Sequence, residues 1–210
     1  MSEHVAWPKL RYPLVAILRG IRPEETEGVV SALIEVGFEA IEIPLNSPEP
    51  FVSIEKAAKL APAGVLIGAG TVLSVENVDR LHDVGGRLLV SPNVEPDVIR
   101  RAGGHGMVTM PGVFTPTEAF SAIRAGASAL KFFPASVLGA DGIKAICAVL
   151  PKDIPVGAVG GVSETDFATY RAAGVSCFGL GSSLYKAGLT VADVRERAQR
   201  AVEAWDKIAG

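Results

Sequence analysis

Eight short aliphatic runs punctuate this sequence, roughly 20–27 residues apart, with a helix-like segment after each. The runs are Leu14–Leu18, Ala40–Ile43, Val65–Ala69, Leu88–Ser91, Met107–Met110, Ala129–Phe132, Val156–Val159 and Cys177–Leu180. Each is too short for a buried helix and suits a strand covered on both faces. The segments between them open on helix-start signals: Pro23-Glu-Glu, Ser47-Pro-Glu-Pro, Ser74-Val-Glu-Asn, Thr115-Pro-Thr-Glu and Ser163-Glu-Thr-Asp. Gly37, Gly85, Gly126 and Gly174 stand where the helices should stop, shortly before the next strand. Strands alternating with helices make a parallel sheet, and eight such units in 210 residues leave little room for anything else. The fold class expected is α/β, a (β/α)8 TIM barrel, as a single domain over residues 1–210 with a short N-terminal extension, residues 1–13. The rival is an open doubly wound sheet, which would carry five or six strands and a glycine-rich fingerprint after the first; LVAILRGI has none.

Composition narrows the function. Hydrophobic residues make up 49% of the chain and aromatics only 6%, which suits small side chains at helix–sheet contacts and excludes a disordered chain. A net charge of −3 gives no footprint for nucleic acid. No secretory signal is visible and no apolar stretch is long enough to span a membrane, so a cytoplasmic protein without membrane partners is expected. Cys147 and Cys177 sit in apolar runs and read as core. His4, His82 and His105 fall at the terminus or in helical segments, so neither a metal site nor a cofactor is expected.

A barrel collects its chemistry at the C-terminal ends of its strands, and polar residues stand there. Lys131, in SALKFFPAS, shares a strand face with Ala129 and Phe133. Burial lowers a lysine pKa, and a neutral amine attacks a ketone; alternatively the side chain snorkels out of the strand end. Glu42, in FEAIEIPLNSP, points to the same face as Ala40 and reads as a general base, or as half of a buried salt bridge. Arg19 in LRGI can fork onto a carboxylate or phosphate. Thr71 in IGAGTVLS is an anion ligand or a helix-start cap. Gly160 and Gly161 follow the seventh run; Gly179, Gly181, Ser182 and Ser183 accompany the eighth. Loops at those two places form the usual phosphate cradle of such barrels, unless the glycines only serve turns. Without a metal to polarise a carbonyl, a carbonyl-cleaving enzyme needs an amine such as Lys131. A sugar-phosphate isomerase or epimerase, and a non-catalytic phosphate-binding barrel, are the readings from other classes.

Taken together, LVAILRGI, FEAIEIPLNSP, IGAGTVL, VSPN, MPGVFTPTEA, ALKFFPAS, AVGGVS and GLGSSLY resemble the class I aldolases of 2-keto-3-deoxy-6-phosphosugar acids, over roughly Leu14 to Ala204. The resemblance implies that Lys131 forms an iminium with C2 of the substrate and that Glu42 is the general acid/base, relayed by a water. It implies that Arg19 and Thr71 hold the pyruvate carboxylate, that Pro92 and Phe133 form walls, and that Gly160, Gly161 and Ser182, beside Gly181, receive the phosphate. The gluconate-type members carry an arginine shortly after the glutamate and a threonine before the glycine pair. Here those places hold Asn46 and Val159, which resembles the galactonate branch. The partners implied are a phosphorylated keto-deoxy sugar acid, pyruvate, and two further copies of the chain in a homotrimer.

Overall fold

In the computed structural model, residues 4–209 are described; Met1–Glu3, the start of the expected N-terminal extension, and Gly210 lie outside the described residues. Strand β1 (Leu14–Ile17) is followed by α1 (Pro23–Val36), β2 (Ala40–Pro44), α2 (Pro50–Leu60), β3 (Leu66–Gly70), α3 (Val75–Asp83), β4 (Leu88–Val90) and α4 (Pro96–Gly104). The chain continues through β5 (Val108–Met110), β6 (Gly112–Val113), α5 (Pro116–Ala125), β7 (Leu130–Phe132), α6 (Ala135–Cys147), β8 (Val156–Val159), α7 (Phe167–Ala172), β9 (Cys177–Leu180) and α8 (Val191–Ala209). All eight expected runs form strands, trimmed by a residue at several ends. The fifth run, Met107–Met110, is followed by a short strand the sequence did not suggest: Pro111, which has no N–H to give a ladder, separates β5 from β6.

That division explains the closure. The sheet order is β5-β4-β3-β2-β1-β9-β8-β7-β6, every pairing is parallel, and Pro111 alone separates the two outer members. Ala129 N–H donates to Thr109 O at 3.0 Å, Lys131 N–H to Pro111 O at 2.9 Å and Phe133 N–H to Val113 O at 3.2 Å, so β7 is stitched along the whole divided strand. The barrel is nearly closed, with its helices outside.

Local signals explain most helix ends. The Glu25 carboxylate accepts from Arg22 N–H at 2.9 Å at the start of α1, and Ser74 and Thr115 cap α3 and α5 with their side chains. Helices α1 and α5 end on Gly37 and Gly126, both left-handed. At Ser47 the expectation is corrected. Helix α2 begins at Pro50, the last residue of Ser47-Pro-Glu-Pro, with Glu49 in the N-cap place and no side-chain cap bond, and the Ser47 hydroxyl instead accepts from Gly20 N–H at 2.9 Å.

The core has two parts. The larger lies between strands and helices and includes Leu14, Ile41, Leu89, Leu130, Phe132 and Phe178. The smaller fills the barrel interior with Val15, Ala40, Leu88, Val90, Val108, Met110, Ala129 and Cys177, and Val5, Trp7 and Leu10 pack against it from the N-terminal segment. Cys177 is therefore core as expected, with burial pushing its thiol up to about 12, whereas Cys147 is only half-buried. No helix among the described residues is long and apolar enough to cross a membrane.

Candidate active site

Strand alternation carries the barrel's inner face from the apolar cluster to a cavity at the opposite end. Two residues beyond Val15, Ala40, Val90, Ala129 and Cys177 come Ile17, Glu42, Pro92, Lys131 and Gly179, and all five line that cavity. Arg19, Thr71, Phe133, Val159, Gly160, Gly161, Gly181 and Ser182 complete the wall together with Val162. Of the site residues expected from the sequence, all but Ser183 therefore border one space at the C-terminal ends of the strands; the Ser183 hydroxyl donates to Val162 O at 3.1 Å instead.

Lys131 and Glu42 are the only buried ionisable groups in its wall, 7% and 2% exposed. Burial pushes the Glu42 carboxyl up from 4.5 to about 7, against the pull of the Lys131 and Arg19 charges and the Gly70 backbone. Burial likewise lowers the Lys131 ammonium from 10.5 to about 8; the Glu42 charge opposes this and the Arg19 charge adds to it. The ion pairs among the described residues lie on exposed or half-exposed side chains, and none includes Lys131 or Glu42. Glu42 Oε2 is buried with no protein hydrogen-bond partner, and Lys131 Nζ lies 4.7 Å from the centre of the Phe133 ring. Neither a buried salt bridge nor a snorkelling lysine describes this pair. Two desolvated groups with shifts in opposite directions, facing one cavity, suit proton transfer and nucleophilic attack near neutral pH.

The glycines around the pair have specific tasks. A Cβ on Gly70 would stand 2.1 Å from Glu42 Oε2, so the bare backbone of IGAG makes the space the carboxylate occupies. Gly160 and Gly161 have φ of 92° and 72°, and a Cβ on Gly161 would meet Ser136 Oγ at 2.4 Å. Both side-chain bulk and ordinary backbone conformations are excluded there, which leaves peptide groups facing the cavity. Gly179 lies inside β9, not in the loop after it; a Cβ there would press on Val159 at 2.6 Å.

Thr71 does not cap α3, since Ser74 does. It takes φ of 58°, a conformation that costs a β-branched residue about 1–3 kcal/mol, and it sits in the cavity wall. Arg19 stands exposed at the mouth and donates through Nη1 to Asn46 Oδ1. A more open groove shares Ile17, Arg19, Gly181 and Ser182 with the cavity and continues past Tyr185, Lys186 and Ala187.

The family model described as KDPG and KHG aldolase matches residues 9–207. The chain belongs to the KDPG and KHG aldolase family. It is an aldolase, a lyase of carbon–carbon bonds. This aldolase is 66% identical over 99% of its length, and 98% of the relative's, to a probable 2-dehydro-3-deoxy-6-phosphogalactonate aldolase of Rhizobium meliloti (strain 1021). It is 50% identical to the 2-dehydro-3-deoxy-6-phosphogalactonate aldolase of Escherichia coli (strain K12), over 93% of this chain and 95% of that one. A solved structure described as native KDPGal superposes with a TM-score of 0.94 at 48% identity, covering 97% of this chain and 98% of that one.

Sequence reasoning missed Ile17, Val162 and the roles of Gly179, Asn46 and Lys186. Ile17 and Gly179 were within reach: inward alternation through Val15 predicts Ile17, and through Cys177 it predicts Gly179. Val162, Asn46 and Lys186 belong to loops, where no periodicity points.

Proposed function

We propose that this aldolase cleaves 2-dehydro-3-deoxy-6-phospho-D-galactonate to pyruvate and D-glyceraldehyde 3-phosphate through a Schiff base on Lys131. The observation that carries this is the desolvated Lys131–Glu42 pair facing one cavity, shifted in opposite directions.

Neutral Lys131 attacks the C2 ketone, and loss of water gives a cationic iminium that draws electrons from C3. Glu42, acting through a water, accepts the C4 hydroxyl proton; the C3–C4 bond breaks and its electron pair becomes the enamine. C4 leaves as the aldehyde carbon of glyceraldehyde 3-phosphate. The enamine takes a proton at C3, and water releases pyruvate and the free lysine. Arg19 and Thr71 hold the carboxylate, Pro92, Phe133 and Val159 shape the walls, and Gly160, Gly161, Gly181 and Ser182 receive the phosphate. Lys186 adds positive charge farther along the same groove. The galactonate epimer is favoured by Asn46 and Val159 and by the names of the two relatives. The same reading has a cytoplasmic enzyme of galactonate breakdown assembled as a homotrimer, for which light scattering should return three chain masses.

Borohydride reduction in the presence of pyruvate should leave a stable adduct on Lys131. Equal trapping by Lys131→Ala would sink the assignment. Comparing kcat/KM for the galactonate and gluconate epimers at C4 tests the substrate; equal or reversed values would point to a dual-specificity or gluconate-type enzyme.

A further inference from the structure

The β1–α1 and β2–α2 loops are tied together at the cavity mouth by two hydrogen bonds. Arg19 Nη1 donates to Asn46 Oδ1, and the next peptide, Gly20 N–H, donates to Ser47 Oγ at 2.9 Å. Ser47 is 8% exposed and its own N–H donates to Pro44 O at 2.9 Å, so its hydroxyl is a fixed point on the end of β2. Register strengthens the tie, because Ile17 pairs with Glu42 and Leu18 N–H donates to Glu42 O at 2.9 Å. The loop that carries Arg19 is thus measured from the strand that carries Glu42.

An exposed arginine side chain would otherwise sample many rotamers, and ordering it costs conformational entropy. Asn46 takes one Nη and leaves the other nitrogen donors of the fork free. We infer that Asn46 is a positioning residue: with Ser47 anchoring the backbone, it holds the Arg19 guanidinium over the cavity, poised for the carboxylate of a 2-keto acid. This rests on the Schiff-base reading of the site. A neutral amide suits the task, because it orients the cation without competing for it. An aspartate there would hold Arg19 as firmly and set a second carboxylate against that of the substrate.

The test is borohydride trapping titrated with pyruvate, together with inhibition of cleavage by inorganic phosphate, which probes the other end of the substrate. Asn46→Ala should raise the half-saturating pyruvate concentration about tenfold, the loss expected for a hydrogen bond that orders a charged group. Its phosphate inhibition constant should stay within about twofold of the parent value. Asn46→Asp should bind pyruvate still more weakly than Asn46→Ala, although it preserves shape and hydrogen bond. In an Arg19→Ala background, Asn46→Ala should add nothing. An unchanged half-saturation in Asn46→Ala, a milder effect of aspartate than of alanine, or an equal effect without Arg19 would each overturn the positioning role. Failure of the parent protein to trap pyruvate at all would overturn the Lys131 reading and this inference with it; trapping by the parent with an unchanged Asn46→Ala titration overturns this inference alone.

Discussion

The two ends of the barrel are made from the same strands and the same inward alternation, and they hold opposite kinds of side chain. Where the strands begin, Val15, Leu88, Val108, Ala129 and Cys177 close the interior, and Val5, Trp7 and Leu10 cover them. Two residues beyond Ala40 and Ala129 of that same layer, Glu42 and Lys131 stand desolvated beside an open cavity, with Thr71 in a strained conformation. The lower layer stabilises the fold by removing apolar area from water. The upper layer works against the fold, since burial disfavours both charges. Architecture cannot explain the upper layer; chemistry can. The contrast between neighbouring layers locates function more sharply than either layer alone.

The largest effects should come from removing the groups the fold does not need. Lys131→Ala should lower kcat/KM by at least about 10⁴-fold and leave no borohydride adduct. Its thermal midpoint should hold or rise, because a desolvated amine has been taken from the interior. A midpoint many degrees lower would break the comparison by making Lys131 a structural residue. Glu42→Gln should cost about 10²–10⁴ in kcat, in the range of a lost general base, while pyruvate still becomes trapped on Lys131.

Acidity sharpens the same contrast. The folded state holds Glu42 above its ordinary value, so its contribution to stability is intact below about pH 4.5 and is lost as pH rises through about 7. For Lys131, held below its ordinary value, the contribution is intact above about pH 10.5 and is lost as pH falls through about 8. Urea midpoints of the parent, measured relative to Glu42→Gln, should therefore decline from about pH 4.5 to about 7. A flat difference would mean that Glu42 is solvated. Apolar substitutions in the lower layer should show no such slope.

Much of this contrast was legible in the sequence, and the rest was not for identifiable reasons. Period-two alternation through ALKFF and EAIEIP puts Lys131 on the face of Ala129 and Glu42 on that of Ala40, because strand geometry decides it, and the folded chain turns both faces inward. That Gly160, Gly161 and Gly181 line the cavity was legible because the fold fixes which end of the strands carries those loops. Ser47 misled, since a serine ahead of prolines has the form of a helix cap, and only the approach of Gly20 from another loop diverts its hydroxyl. Pro111 is plain in the sequence, but that it divides a strand without opening the barrel depends on bonds made by β7. The task of Gly70 is likewise tertiary: nothing within IGAG says that a carboxylate from β2 fills the missing Cβ position.

Gly70→Ala tests that last point from the upper layer. The added methyl would meet both Glu42 carboxylate oxygens, at 2.1 and 2.5 Å, and must displace them. A displacement of about an ångström at a reacting group costs about 10²-fold, so kcat should fall by that order with little change in overall folding. A variant with parental kcat would show that the position of Glu42 is not under tight control.

The smallest expected effect belongs to the opposite end. Trp7 is half-buried against the interior cluster, and Trp7→Ala should lower the unfolding free energy by about 1–2 kcal/mol, a fraction of the transfer energy of a fully buried large side chain. Urea denaturation measures this directly. Per folded molecule, kcat/KM should equal that of the parent, because the apolar interior layer separates Trp7 from Lys131 and Glu42. If activity falls along with stability, the floor and the mouth of the barrel are mechanically coupled. The apolar layer would then be a support that sets the heights of Lys131 and Glu42, and the division of labour between the two ends would have to be redrawn at that layer.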